Sequence, residues 1–315
     1  MRINRGTFMK ILAKCTFSLF MMVAVAAGCL AQVKSAAEQR VEISFAGRLA
    51  GKPFACGSEY QGVGSKKSTV TPQDLRFFVS KFEVLDAGGA AVPVKLDQDG
   101  IWQYQTLALI DLEDGTGGCR NGNSAMHAVV NGSVPPGQYT GLRFTVGVPF
   151  DLDHGDTVSA PSPLNMTAMF WNWQGGYKFI RAEVALASKA DASDKKAAAA
   201  SSARTDRMRS GGFPVHIGST GCAGSEPTKA PTHECKHPNM VLVTLPEFDP
   251  AKDVVIFDLG KLLEGSDISV NSPHSAPGCM SAENDPDCTT VMKALGLPYG
   301  KDPGGAQTVF YREPK

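Results

Sequence analysis

Apolar residues along the chain follow a two-residue period. Val41, Ile43, Phe45 and Leu49 alternate with polar neighbours, the period of a half-buried strand. Residues 75–85 (LRFFVSKFEVL) are dense in aromatic and β-branched side chains and stop at the turn-forming DAGG of 86–89. TLALIDL from Thr106, GLRFTVGV after a PPGQY turn, MFWNWQGGYKFIRAEVAL, GFPVHIG, MVLVTL and VVIFDL have the same character. This predicts about eight to ten short strands punctuated by Gly, Pro, Asn and Asp, hence an all-β fold, an antiparallel β-sandwich or irregular barrel. Residues 188–210 (SKADASDKKAAAASSARTDRMRS) offer almost nothing to bury and read as an exposed, disordered insertion between two strands. After Leu259 the pattern loosens, so 260–315 is expected to be a less regular C-terminal region with room for a short helix over 289–295. A single β domain over 36–315 accommodates these parts.

The N-terminus has a different pattern. Arg2, Arg5, Lys10 and Lys14 precede the apolar run FSLFMMVAVAA, the basic and hydrophobic regions of a secretory signal too short to span a bilayer. Cleavage after Ala31 gives a signal peptide of 1–31 and a periplasmic protein. The string AAGC ending at Cys29 resembles a lipobox with Ala26 in place of the usual leucine, the alternative of a lipoprotein anchored through Cys29.

The chain has 315 residues, 43% of them hydrophobic, enough to build a core. Lys plus Arg and Asp plus Glu both total 31, so no basic excess points to nucleic acid. No glycine-rich phosphate loop, G-x-S-x-G or H-E-x-x-H occurs, which removes the nucleotide-binding and common hydrolase signatures. The acidic loops from Asp111 and Asp151 lack the spacing of a calcium loop and read as turns. His127, His233, His237 and His274 lie in loop-like sequence and read as surface residues.

Outside the signal, the cysteines are Cys56, Cys119, Cys222, Cys235, Cys279 and Cys288, an even set as an exported disulfide framework requires. The close pairs, Cys222 with Cys235 and Cys279 with Cys288, are the simplest bridges, leaving Cys56 with Cys119. Other pairings stay open on spacing alone. A loop the size of 222–235 contributes about 3 kcal/mol through the unfolded state. No C-x-x-C is present, which disfavours a thiolate metal site.

The segment around Met169, Trp171 and Trp173 carries the most unusual chemistry. In a strand these three side chains share one face. Met and Trp are ordinary core residues, so a packed face is one reading. The other joins the thioether to an imidazole from His154, before this segment, or His216, on the next strand. Thioether and imidazole suit Cu(I), because sulfur is a soft ligand.

The set DLRFFVSKFEVLDAGG, LALIDLEDGTGGC, GLRFTVGVPFDLDHGD, MFWNWQGGYKFIRAE, HIGSTGC and PGCMSAENDPDC resembles the MbnP family, the four-cysteine proteins of the metallo-mystery pair system, in order and from Val41 to Leu297. W-x-W followed by QGGYKF is its most specific part; the 188–210 insertion departs from it in length. The resemblance implies a methanobactin-associated, exported protein that binds Cu(I) through a histidine, a methionine and an oxidised tryptophan. It implies that Trp171 is converted to kynurenine by a dihaem cytochrome c peroxidase/MauG-like partner (MbnH-like), so the protein is the substrate of an enzyme rather than one itself. On that basis Met169 supplies the thioether and Trp173 lies behind the site. His216 or His154 supplies the imidazole, with His216 preferred because a strand holds a ligand more rigidly than a loop. The rival functions are a copper-dependent oxidase and a plain β-sandwich binding module.

Overall fold

The computed structural model describes residues 37–172, 174–187, 212–224 and 228–315. The expected signal peptide, the 188–210 insertion and Trp173 lie outside the described residues. The principal strands are β1 (Gln39–Leu49), β2 (Ser68–Asp86), β3 (Leu107–Asp111), β4 (Val129–Val134), β5 (Tyr139–Val146) and β6 (Phe170–Asn172). They continue as β7 (Gly176–Tyr177), β8 (Ile180–Leu186), β9 (Gly212–Ile217), β10 (Val241–Pro246), β11 (Asp253–Asp258) and β12 (Phe310–Pro314).

These strands form the expected all-β sandwich. One sheet runs β12–β11–β1–β4 and the other β9–β8–β2–β5–β10, while β6 and β7 make a separate hairpin. Nearly all pairings are antiparallel. The exception is β1 beside β11, parallel over Ser44–Arg48 and Val254–Asp258. Those strands lie at opposite ends of the chain, and alternation reveals which face is buried without revealing strand direction. The 19-residue β2 is the spine of the second sheet. Its first half pairs with β8, its second half with β5, and β3 lies along its middle.

Facing aromatic rings hold the sheets together. Phe45 and Phe257 meet Phe77 of the opposite sheet at centroid distances of 5.9 and 5.1 Å, and Phe144 and Phe310 join them edge-on. This is the interdigitated interior of a sandwich. The middle of β2 is buried on both faces. Leu75, Phe77 and Val79 enter the sandwich core. On the outer face, Phe78 joins Leu107, Leu109, Val148, Leu164, Met169, Tyr177 and Phe179 in a second apolar cluster. Asp74 and Arg76, on that same face, are buried among charges instead.

The stretch expected as one strand through 169–186 is broken. A 3-10 turn (Thr167–Met169) leads into β6, and a turn at Gln174–Gly175 precedes β7. Gly176 has φ +67°, and a Cβ there would lie 2.4 Å from Asp153 Oδ1, so only glycine fits.

Three disulfides join Cys56 to Cys119, Cys222 to Cys235 and Cys279 to Cys288. Within 260–315, the helix Thr289–Ala294 packs on Leu259–Leu263, and β12 pairs with β11 to complete the sheet edge.

Candidate functional site

β9 places His216. Phe213, Val215 and Ile217 point into the core, which turns Pro214 and His216 to the outer face. In register across the sheet, His216 lies opposite Arg181, Arg181 opposite Arg76, and Arg76 opposite Asp111. Glu183 and Asp74 form the neighbouring row. Arg181 Nε lies 2.7 Å from Glu183 Oε1 and 3.0 Å from Asp74 Oδ2, and Arg76 pairs with Asp74 through two nitrogens. His216 Nε2 meets Glu183 Oε1 at 2.8 Å.

This network sets the protonation of the imidazole. Burial pushes the Glu183 carboxyl up, but the hydrogen bond to His216 and the Arg181 charge outweigh it and hold the acid at about 2. Burial lowers the pKa of His216, with Glu183 only partly opposing. Near neutral pH the ring is therefore neutral and faces an ionised carboxylate. Nε2 carries the proton and donates to Glu183, which leaves the lone pair on Nδ1.

At the far end of the row, burial pushes the Asp111 carboxyl up to about 7 despite Arg76, with Glu113 adding to the rise. Its Oδ2 is buried without a hydrogen bond. The folded state keeps that proton to near pH 7, whereas the unfolded chain loses it near 3.8. Ionisation of Asp111 thus costs stability progressively as pH rises between those values. The stability advantage of Asp111→Asn over wild type is expected to grow from pH 5 to pH 8. Urea midpoints of the two proteins at both pH values measure this; a constant gap refutes it.

Beside His216 lies Met280. Val215 and Cys279 form a parallel bridge, and His216 N–H donates to Cys279 O at 2.8 Å. The next residue along each strand, His216 and Met280, therefore shares the outer face. The Cys279–Cys288 disulfide ties this segment down. Both side chains line an open cleft of about 1120 Å³, together with Arg181, Glu183, Gln73 and Arg120.

Trp171, on β6, is half-buried. Its six-membered ring covers Gly218, two residues beyond His216: a Cβ at Gly218 would lie 2.6 Å from Trp171 Cζ3. Met169 does not share a strand face with Trp171, because it ends the 3-10 turn. It is fully buried in the second apolar cluster. Trp173 lies outside the described residues. His154 is 7% exposed, with Nε2 3.3 Å from Asp153 Oδ2 and 3.7 Å from Cys235 Sγ. Asp153 accepts from Tyr177 N–H and Ser219 Oγ, and burial raises it to about 7. Trp171 and His216 are thus linked through Gly218, while His154 gathers with Asp153 and the Cys222–Cys235 bridge.

Residues 38–281 match the sequence profile of the MbnP family. MbnP from Methylosinus trichosporium superposes with a TM-score of 0.73 at 34% identity, covering 89% of this chain and 99% of that one. The chain belongs to the MbnP family. No curated protein matches it. The family match takes in Trp171, His216 and Met280.

Sequence reasoning missed Met280 and the row behind His216. A signal for Met280 was present, since it directly follows Cys279 in the PGCM string, but the bridge to Val215 is visible only in three dimensions. His127, expected at the surface, is half-buried: its ring stacks on Trp102 at 5.2 Å and Nδ1 lies 2.6 Å from Leu109 O. The loop-like residues before it hid a bridge to Asp111.

Proposed function

We propose that this is an exported Cu(I)-binding protein of copper acquisition or homeostasis, matured by oxidation of Trp171 to kynurenine by a dihaem MauG-like partner. The arrangement of His216, Met280 and Trp171 carries this reading. A neutral imidazole oriented by a carboxylate is the usual support for a metal-bound histidine. A thioether beside it makes the pair soft, as Cu(I) prefers. The donors fit the ion: His216 Nδ1 and the Met280 sulfur would hold it, with Glu183 fixing the ring. The same family membership supports the methanobactin association.

For the thioether role, Met280 fits better than Met169, the residue expected from the sequence. Met280 lines an open cleft beside the imidazole, whereas Met169 is sealed among apolar side chains. His216 is likewise preferred to His154, whose Nε2 lies between Asp153 and a sulfur already committed to a disulfide.

Ring opening of Trp171 replaces a flat apolar indole with a ketone and an aniline, and so puts new polar atoms over Gly218. Trp171 is half-buried rather than sealed, as a residue modified by another protein must be. The three disulfides support an oxidising compartment, consistent with the secretory pattern at the N-terminus. Copper is the cargo here, and the protein is the substrate of its partner. No helix among the described residues is long and apolar enough to cross a membrane.

Co-expression with the dihaem partner tests the maturation. The peptide containing Trp171 is expected to exchange one carbon for one oxygen, read as the corresponding mass gain. An unmodified Trp171 under those conditions overturns the reading.

A further inference from the structure

We propose that Cys222, Cys235 and His154 form a second metal site, closed by their disulfide and opened by reduction, that takes Cu(I) as a thiophilic cation. It is independent of the His216 site and shares no ligand with it.

The two sulfurs and a ring nitrogen of His154 all lie within 4.8 Å of one another. Cys235 Sγ is 3.7 Å from His154 Nε2, the nitrogen that would complete the ligand set. A disulfide bond needs no imidazole, yet this one is packed against a buried histidine; Asp153, anchored by Ser219 and Tyr177, lies 3.3 Å from the same nitrogen and gives it up when the metal binds. Ser219 Oγ also lies 3.9 Å from Cys222 Sγ. Two thiolates with one imidazole give a three-coordinate soft site, an arrangement suited to Cu(I).

Accessibility singles this bridge out. Cys56, Cys119, Cys279 and Cys288 are at most 2% exposed, so their disulfides are shielded from an attacking thiolate. Cys222 alone among the bridged cysteines is half-buried. Exchange requires direct approach of a thiolate to sulfur, so a dithiol reductant reaches Cys222 first. The dithiol gives two electrons and two protons to the S–S bond and closes to its own disulfide, leaving two cysteine thiols. Cu(I) then displaces both thiol protons, so binding strengthens as pH rises.

The test uses the full folded protein, reduced in graded steps with a dithiol, freed of reductant and titrated anaerobically with Cu(I) against a chromophoric Cu(I) chelator. Alkylation of each sample identifies which cysteines have opened, and circular dichroism follows the fold. Cys222 and Cys235 are expected to label first, with one more copper bound per chain than in the oxidised protein. That increment should vanish in Cys222→Ser/Cys235→Ser, which also lacks the bridge, and its affinity should fall by about tenfold or more in His154→Ala. Reading the increment, rather than total copper, separates this site from His216. Equal copper before and after reduction overturns the proposal. An increment that survives the double serine variant, opening of a buried bridge first, or loss of the fold on reduction each does the same.

Discussion

His216→Ala is expected to abolish tight Cu(I) binding by the matured protein, with a loss of affinity of at least about a hundredfold. The imidazole is the most strongly oriented donor at the site, and removing a ligand costs more than the 10- to 100-fold typical of a residue that merely orients one. Met280→Ala is expected to follow it, by a smaller margin because a thioether is a weaker ligand than an imidazole. Met169→Ala gives the informative contrast. Its side chain is fully covered by Phe78, Tyr177 and other apolar residues, so the truncation should cost about 2–5 kcal/mol of stability. The folded fraction should keep its copper affinity. Chelator competition with Cu(I), paired with urea unfolding, separates these outcomes. Copper lost with Met169→Ala and kept with Met280→Ala would return the thioether role to Met169.

The period-two pattern was enough to reveal the sandwich, because a strand with one covered face must alternate whatever its neighbours. β1 is the clear case, with Val41, Ile43, Phe45 and Leu49 all facing inward. β2 was recognisable by its aromatic density, but the use of its second face was not. Phe78 and Arg76 both point outward, and only the chain between 148 and 179 folding back over them makes that face interior. The cysteine pairing matches the simplest choice, two short loops and the remaining pair, although spacing alone left other pairings open. Strand direction was not encoded in the same way, since the parallel β1–β11 contact joins segments from the two ends of the domain.

The candidate site was half legible. His216 and Trp171 could be singled out from motif and residue type, and they are joined through Gly218. Assigning Met169 to the same face assumed an extended strand, and the 3-10 turn at 167–169 removes that assumption. Met280 comes from more than 60 residues further along the chain and reaches His216 through a single bridge next to a disulfide. Neither periodicity nor local spacing carries such information. The charged row was hidden for a related reason: Asp74, Arg76, Arg181 and Glu183 look like the solvated face of ordinary strands until the outer cover is in place.

Arg181 and Glu183 allow the structural and copper-related duties of that row to be told apart. Arg181 stands between two carboxylates and also donates from a terminal nitrogen to Ala168 O at 3.0 Å. Its side chain is 10% exposed, and that of Asp74 is 1% exposed. Arg181→Met leaves buried carboxylates without their shared cation, and breaking a buried pair from one side costs about 3–5 kcal/mol. The variant is therefore expected to unfold at markedly lower urea. Glu183→Gln removes charge but keeps an oxygen able to accept from His216 Nε2–H. Stability should change far less, while Cu(I) affinity falls by about tenfold because the ring is less firmly oriented and less basic. A Glu183→Gln protein that binds copper as wild type does would make Glu183 a structural residue only. Unchanged urea stability in Arg181→Met would mean that the two acids find other partners once the arginine is gone.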